Sequence, residues 1–222
     1  MTNRIQGTTT LLGLIGYPLK HSKSPHMHNT SFEALGLDHV YMAFEVQDGH
    51  IKEALDALKL FNAIGGNITM PHKKKVVEYL DDISPDAKII GSVNTIKIDE
   101  NKKITGYNTD GRGFVKALGE NGVEFKGKKI VIAGAGGAAR AVVTQLAFDG
   151  AGEIVLFNRT LCHAEEITDN INDNISTCKA RAEVMNEDKL VEEIQNAVIL
   201  VNCTSLGMKD TIDQAIISSS DQ

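Results

Sequence analysis

One segment, from Lys128 to Gly150, constrains the fold more than any other part of the sequence. It reads KKIVIAGAGGAARAVVTQLAFDG, in which a strand-like apolar run leads into a glycine-rich turn and then a helical pattern that ends on a capping glycine. The turn matches G-x-G-x-x-[GA], where Gly134 allows the sharp turn and Gly136 lets the backbone approach a pyrophosphate. Backbone N–H groups at a helix start attract anions, so the segment predicts a Rossmann-type dinucleotide site. For the motif alone, a glycine-rich turn without a ligand is the alternative.

The rest of the chain predicts an α/β fold. Helical stretches separate the β-rich runs, as in HIKEALDALKLF, where Ile51, Leu55 and Leu58 share one face. Strand–helix–strand repeats imply parallel sheets. The segment IKIDENKKITGYN breaks the alternation, since a polar turn from Asp99 to Lys102 joins two β-type runs and predicts a hairpin. The β-rich runs are LLGLIG, VYMAFEV, AIGGNITM, SVNTIKI, KKIVIAGA, GEIVLF, KARAEVM and AVILVNCT.

This pattern predicts two domains. We place an N-terminal α/β substrate domain at residues 1–107 and a Rossmann-type dinucleotide-binding domain at residues 108–222, joined by a helix that starts at Asp110. A chain of 222 residues that is 42% hydrophobic and 23% charged is long and apolar enough to fold in this way.

Charge, hydropathy and cysteine usage exclude several classes of function. A net charge of −6 and a pI of about 5.6 give no overall attraction to nucleic acids or anionic lipids. The apolar run from Leu11 to Ile15 is far shorter than a membrane span and follows no signal sequence, so we expect a cytoplasmic enzyme. Cys162, Cys178 and Cys203 are widely spaced, which predicts reduced thiols in packing positions and neither a disulfide nor a metal site.

The strand after the glycine-rich turn bears on the choice of cofactor. GEIVLF runs into Asn158, Arg159 and Thr160, where NAD enzymes usually carry an acidic residue for the ribose 2′-hydroxyl. An arginine here suits the 2′-phosphate of NADP, which we expect as the cofactor, with NAD as the alternative. Glu165 and Glu166 weaken that preference, and the alternative is that Arg159 is a solvated loop charge without a ligand.

The segment GLIGYPLKHSKSPHMHNTSFEALG predicts a helix near the N-terminus. Ser24, followed by proline, is a strong N-cap, and the helix is expected to end near Gly36. Capping alone would explain Ser24. Ser22 has no such duty, and two hydroxyls beside a helix N-terminus suit a substrate carboxylate.

The segment GGNITMPHKKKV predicts a short strand, Ile68 to Met70, followed by a basic run. Lys73 comes directly after the strand end, where open α/β sheets bind ligands, whereas the next two lysines rotate away on a helix. Asn67 and Thr69 point to the same side of the strand, where they suit a polyol.

Two further segments, GSVNTI and GYNTDGRGF, contribute Asn94, Thr109 and Asp110. Helix capping is the local explanation of Asp110. An aspartate that faces Lys73 across a cleft would instead stabilise the charged form of the lysine, while partial desolvation would bring its pKa towards a working range.

Seven motifs, taken in order, resemble those of the shikimate dehydrogenase family: GYPLKHSKSPHMHN, GNITMPHK, GSVNTI, GYNTDGRGF, GAGGAAR, FNRT and NCTSLGM. The resemblance runs from about Leu12 to Met208. Each motif alone is weak, but seven in order with family-like spacing are specific. The YMAFEV and GYNTDGRGF runs are especially similar to the quinate/shikimate branch.

The resemblance implies an NADP-dependent oxidoreductase that interconverts shikimate and 3-dehydroshikimate in aromatic amino-acid biosynthesis. It implies that Ser22 and Ser24 hold the substrate carboxylate. Lys73 would transfer the hydroxyl proton, with Asp110 as its catalytic partner. The residues implied for the ring hydroxyls are Asn67, Thr69, Asn94 and Thr109. Those for the cofactor are Gly134, Ala135, Gly136, Gly137, Ala138, Asn158, Arg159, Thr160, Thr204 and Met208.

Two departures from the family pattern accompany the resemblance. Leu161, Cys162 and His163 stand where NADP-dependent members commonly have a second basic residue. Family members also continue past NCTSLGM for several tens of residues, including a substrate-binding glutamine, so we expect an incomplete dinucleotide domain. The alternatives are a quinate/shikimate dehydrogenase that prefers NAD, and an inactive fragment that retains dinucleotide or partner binding. A homodimer stays open, and neither nucleic acid nor a membrane is expected as a partner.

Overall fold

Two separate sheets organise the chain, which divides into two units at the Thr109–Asp110 bond. The computed structural model describes residues 5–207 and 211–217. Within these ranges no helix is both long and apolar enough to cross a membrane.

The first unit is built on a six-stranded mixed sheet. Its elements are β1 (Thr10–Gly16), α1 (Ser24–Ala34), β2 (His39–Glu45), α2 (Ile51–Leu60), β3 (Gly65–Ile68), a 3₁₀-helix (Lys75–Tyr79), β4 (Asp82–Ile83), α3 (Pro85–Ile90), β5 (Thr95–Ile98) and β6 (Ile104–Tyr107). The strand order is β2-β1-β3-β5-β6-β4. Strand β1 pairs in parallel with β2 and β3, whereas β5 runs antiparallel to β3 and β6. The β5–β6 pairing confirms the predicted hairpin.

Apolar side chains of α2 form part of the core of this unit. Ile51, Leu55 and Leu58 are at most 3% exposed, as their shared helix face predicts. They belong to one cluster with Ile15 of β1 and Ile68 of β3. Burial of each such side chain contributes about 1.5 to 3 kcal/mol, so this cluster holds the helix against the sheet.

Close packing of β3 on β1 requires a glycine. A Cβ at Gly66 would stand 1.9 Å from the carbonyl oxygen of Gly13, so no larger residue fits there. The strand ends at Ile68, not at Met70 as predicted, because the chain turns at Thr69, whose carbonyl accepts the His72 N–H at 3.0 Å.

Helix α1 corrects the predicted capping. Lys23, not Ser24, occupies the N-cap position, and the Lys23 side chain makes no capping hydrogen bond. The Ser22 Oγ accepts the Ser24 N–H at 3.3 Å, so Ser22, and not Ser24, provides the side-chain hydrogen bond at the start of the helix. The helix ends at Ala34, and Gly36 follows with a left-handed φ of 66°, as the sequence predicts.

The second unit contains a four-stranded parallel sheet. Its elements are α4 (Asp110–Glu120), β7 (Lys129–Ala133), α5 (Gly137–Phe148), β8 (Glu153–Asn158), α6 (Leu161–Asn174), β9 (Lys179–Val184), α7 (Glu187–Ile194) and β10 (Ile199–Asn202). The strand order is β10-β7-β8-β9. Strands β8 and β9 are added in sequence order on one side of β7, and β10 then pairs with the other side of β7. This order is that of the first half of a doubly wound dinucleotide fold, which confirms the predicted α/β class.

The interiors of β7 and β8 are continuous apolar runs. Residues 130–133 and 154–157 have no exposed side-chain surface. Helix α5 is also buried along most of its length. Complete burial is expected of parallel strands covered on both faces.

The three cysteines are free thiols. Cys178 is buried and Cys203 half-buried, which suits packing, but Cys162 is exposed, so the packing role predicted for it is wrong. The reason is its place in α6, which turns Ala164, Ile167 and other apolar side chains inward instead. In the described parts of the chain, no three His, Cys, Asp or Glu side chains are grouped to hold a metal ion.

Candidate functional site

The loop between β1 and α1 carries Ser22 and Ser24. The Leu19 N–H donates to Oε1 of Glu45 at 2.8 Å, and the Ser22 N–H donates to the Leu19 carbonyl at 2.9 Å. Both serines are half-buried at the start of α1. Because the helix dipole favours negative charge at a helix start and two hydroxyls lie there, this anchored loop can receive a carboxylate.

The loop after β3 carries Lys73. The Lys73 carbonyl accepts the Val93 N–H at 2.8 Å. His72 is fully buried, and its Nε2 lies 2.7 Å from the carbonyl oxygen of Val46. A carbonyl only accepts, so Nε2 carries the proton and donates. Lys73 is therefore a half-buried amine on an anchored loop, whereas the next two lysines are exposed.

Three of the predicted hydroxyl-binding residues belong to one hydrogen-bond network. The Asn94 Oδ1 accepts the N–H and the hydroxyl of Thr109, at 2.9 and 3.1 Å, and the hydroxyl of Thr95 at 2.9 Å. The Asn67 Nδ2 donates to the Asn94 carbonyl at 3.2 Å and to Oγ1 of Thr95 at 3.1 Å. The fourth residue, Thr69, is half-buried directly after β3. The network is a hydrogen-bonded set of amides and hydroxyls, which are groups that can recognise a polyol.

Sequence reasoning missed two members of this network, Thr95 and Tyr41. Tyr41 is 2% exposed and donates its hydroxyl to Asn67 Oδ1 at 2.7 Å. Burial raises the Tyr41 pKa well above its ordinary value, so the phenol stays protonated and acts as a donor. The available signals were weak: a tyrosine inside an apolar strand run, and a threonine beside Asn94 in GSVNTI.

Asp110 is the first residue of α4 and of the second unit. It follows Thr109 directly, and Thr109 donates its N–H and its hydroxyl to Asn94 Oδ1. An acidic side chain in a first helical turn is favourable there. The pairing of Asp110 with Lys73 stays a prediction.

A cavity of about 380 Å³ lies at the carboxyl ends of the strands of the second unit. It is lined by residues 134–136, 158, 159, 185, 203–206, 211 and 214–216. Strands β7 and β10 flank the point where the strand order reverses, and doubly wound sheets bind their dinucleotides at that point.

The glycine-rich turn has the form that an anion site needs. Gly134 has a φ of 102°, and a Cβ there would stand 2.8 Å from the carbonyl carbon and oxygen of Cys203. Gly136 occupies the N-cap position of α5, and no atom lies within 4 Å of the place its Cβ would take. Gly136, Gly137 and Ala138 are exposed, which leaves the start of α5 open to a phosphate.

Asn158 joins the glycine-rich turn to the loop after β8. Its Oδ1 accepts the Ala135 N–H at 3.2 Å, and its Nδ2 donates to the Thr160 carbonyl at 2.8 Å. The side chain was predicted to contact the cofactor, and the structure shows that it also braces the two segments that line the cavity.

Arg159 is exposed at the edge of this cavity. Of the two acidic residues that soften a preference for NADP, Glu166 forms an ion pair with Arg140 at 2.5 Å. Its charge is therefore compensated by a residue of α5, the helix that follows the glycine-rich turn. Glu165 and His163 are exposed on α6.

The segment after β10 completes the cavity. Thr204 donates its N–H and its hydroxyl to Asn202 Oδ1 at 2.9 and 2.7 Å, and its Oγ1 accepts the Leu206 N–H at 3.1 Å. Burial raises the Cys203 pKa to about 11, so this lining thiol is neutral. Met208, also predicted to bind the cofactor, lies outside the described residues.

Two family models match the chain. The shikimate dehydrogenase substrate binding domain matches residues 14–96. The shikimate / quinate 5-dehydrogenase model matches residues 117–214.

Individual relatives match nearly the whole chain. A shikimate dehydrogenase (NADP(+)) of Alkaliphilus metalliredigens is 49% identical over 221 residues, which cover 100% of this chain and 77% of that protein. The structure of a Listeria monocytogenes shikimate 5-dehydrogenase, solved with shikimate and NAD, superposes with a TM-score of 0.94 at 43% identity, covering 99% of this chain and 76% of that one. A Corynebacterium glutamicum quinate dehydrogenase solved with NAD has a TM-score of 0.85 at 30% identity, with coverages of 95% and 75%.

Proposed function

The chain belongs to the shikimate dehydrogenase family, and from that premise we propose that it interconverts shikimate and 3-dehydroshikimate with NADP as its cofactor. The observation that carries the proposal is the network of Asn67, Asn94 and Thr109. It lies where the C-terminal ends of β1, β3 and β6 adjoin the N-terminal end of β5. The serine loop and the Lys73 loop leave the sheet at these same strand ends. A carboxylate site, an amine and a polyol site at one end of the strands suit a hydroxylated ring acid.

Substrate binding is assigned residue by residue. The hydroxyls of Ser22 and Ser24, at the start of α1, hold the carboxylate. The ring hydroxyls contact the polar side chains of the network and the adjacent threonine: Asn67, Asn94, Thr109 and Thr69.

Lys73 and Asp110 form the proposed catalytic pair. Lys73 takes the proton from the reacting hydroxyl during oxidation and returns it during reduction. Asp110 orients the amine and contacts the same hydroxyl. The anchored loop of Lys73 supports this role, because a fixed backbone limits the positions that its amine can take.

The cavity of the second unit is the proposed dinucleotide site. Gly134 to Ala138 would hold the pyrophosphate on backbone N–H groups, Arg159 the 2′-phosphate, and Thr160 and Thr204 the neighbouring polar groups. When bound, NADP accepts or supplies the hydride. The Asn158 side chain holds the glycine-rich turn and the Arg159 loop together through its two hydrogen bonds.

Quinate oxidation with NAD is the second candidate. It is favoured by the similarity to the Corynebacterium quinate dehydrogenase and by the absence of a basic residue at positions 161 and 162.

Initial rates with shikimate and quinate, each with NADP and NAD, test the proposal. We expect the largest kcat/KM for shikimate with NADP. A higher kcat/KM for quinate with NAD would support the second candidate instead. No turnover of either substrate, despite measurable cofactor binding, would contradict both.

Two broader assignments accompany this function. A cytoplasmic location is supported by the three free thiols, since reducing compartments preserve them, and cell fractionation would test it. A homodimer is the proposed assembly, and light scattering on the purified protein would test it.

A further inference from the structure

Tyr41 is clamped on β2 by two residues of α1. The Asn29 Oδ1 accepts the Tyr41 N–H at 3.0 Å, and the Asn29 Nδ2 donates to the Tyr41 carbonyl at 2.8 Å. The His28 ring stacks on the Tyr41 ring with centroids 4.2 Å apart. With backbone and ring both held, the phenol has a fixed direction, towards the Asn67 amide.

The surroundings of Asn67 allow one amide orientation. The carbonyl of Asn94 can only accept, so the Asn67 nitrogen must face it and the Asn67 oxygen must face Tyr41. The two hydrogens of this nitrogen are directed to the Asn94 carbonyl and to the Thr95 hydroxyl. The oxygen accepts the Tyr41 hydroxyl and retains a second lone pair. Asn67 can therefore meet a ligand hydroxyl as an acceptor and not as a donor.

We propose that Tyr41 is a positioning residue: the Asn94 carbonyl sets the orientation of the Asn67 amide, and the Tyr41 hydroxyl holds the Asn67 oxygen in place as a hydrogen-bond acceptor for one ring hydroxyl of the substrate. The consequence is selectivity for a ring position that carries an O–H over one that offers only an acceptor, such as a carbonyl or a fluorine. This inference rests on the proposed function. It also links the two ends of the substrate, because the helix that holds Tyr41 begins at the proposed carboxylate site.

A purely structural role for Tyr41 makes a different prediction. Tyr41 also packs in a small core cluster with Leu14 and Leu19, so its ring supports the fold. Phenylalanine keeps that packing and removes only the hydroxyl. Tyr41→Phe therefore separates the positioning role from the packing role, whereas Tyr41→Ala would confuse them.

The test is a double-mutant cycle of Tyr41→Phe with Asn67→Ala. The readouts are kcat/KM for shikimate, the Kd of shikimate by calorimetry and the Kd of NADP. Tyr41→Phe should lower kcat/KM by about 5- to 10-fold, the scale of one neutral hydrogen bond. It should leave the Kd of NADP unchanged and cause no further loss in the Asn67→Ala background. Tyr79→Phe, at a half-buried tyrosine of the same unit outside the network, is the matched control and should match the wild type.

Shikimate analogues with each ring hydroxyl replaced in turn by fluorine test the acceptor role directly. Fluorine cannot donate, so the wild type should lose affinity at the position that Asn67 contacts. For the analogue fluorinated at that position, the Tyr41→Phe and Asn67→Ala variants should both lose less affinity than the wild type does. A melting temperature within a few degrees of the wild type shows that the variants are folded.

Three results would overturn the inference: a Tyr41→Phe enzyme with wild-type kcat/KM, losses that add fully in the double mutant, or equal sensitivity to fluorination in all variants. In each case the wild type still oxidises shikimate, so the proposed function survives. A wild type that neither binds nor oxidises shikimate removes the proposed function, and the inference fails with it.

Discussion

Replacement of Asn158 with alanine tests how the dinucleotide cavity is held in shape. The half-buried Asn158 side chain makes one hydrogen bond to Ala135 in the glycine-rich turn and one to Thr160 after β8. A neutral hydrogen bond contributes about 1 kcal/mol net, so the two together contribute about 2 kcal/mol. If the whole loss appears in cofactor binding, the Kd rises roughly 30-fold. Water can replace part of each bond at a half-buried site, so this value is the upper limit.

Both cofactors should bind more weakly, because Asn158 holds the turn that contacts the pyrophosphate, and NAD and NADP share that group. NADP should lose at least as much affinity as NAD, because the same side chain also holds the loop of Arg159. Fluorescence titrations with NADPH and NADH measure both dissociation constants, and urea denaturation measures the free energy of unfolding.

Asn172→Ala is the matched control. The Asn172 side chain also makes two hydrogen bonds to backbone atoms, accepting the Ala180 N–H at 2.9 Å and donating to the Ala180 carbonyl at 2.8 Å. It does not line the cavity. We expect a similar loss of stability with unchanged cofactor affinity. Wild-type affinity for both cofactors in Asn158→Ala, or a loss confined to NADPH, would refute the bracing role.

Three further predictions concern charged residues. Arg159→Ala should weaken NADP binding by about 10- to 100-fold and hardly affect NAD, because a charge-assisted contact to the 2′-phosphate is lost; equal losses in titrations would contradict this. Lys73→Ala should lower kcat by about 10²-fold or more with an unchanged Kd for NADP, and near-normal turnover would remove Lys73 from the mechanism. Hydrogen bonds from Arg181, at 2.6 Å, and from Lys129 hold the Glu193 pKa below its ordinary 4.5, so this carboxylate stabilises the fold above pH 4.5 and less as the pH falls through its lowered pKa. Denaturation curves should show Glu193→Gln less stable than the wild type by about 1 to 3 kcal/mol at neutral pH, with the difference shrinking as the pH falls below 4.5; a constant difference would contradict the assignment.

Local patterns in the sequence were sufficient for the fold class and for the motif positions. The run KKIVIAGAGGAAR predicts its own strand, turn and helix, because a glycine with positive φ and a buried apolar strand are properties of neighbouring residues. The apolar face of α2 and the turn from Asp99 to Lys102 were predicted for the same reason. Each of these features depends on residues that are close to one another in the sequence.

The partners of the site residues depended on the tertiary structure. Tyr41 and Asn67 are 26 residues apart, as are His72 and Val46, and neither pair has a sequence signature. Ser24 had the residue type of an N-cap, yet the path of the preceding loop gave the local contact to Ser22. Hydrogen bonds between distant residues form only once the strands are in register, because the pairing of β1, β2, β3 and β5 decides which side chains face each other. The sequence alone therefore determined which residues are available for chemistry, and the packing of the sheet decided how each of them is oriented.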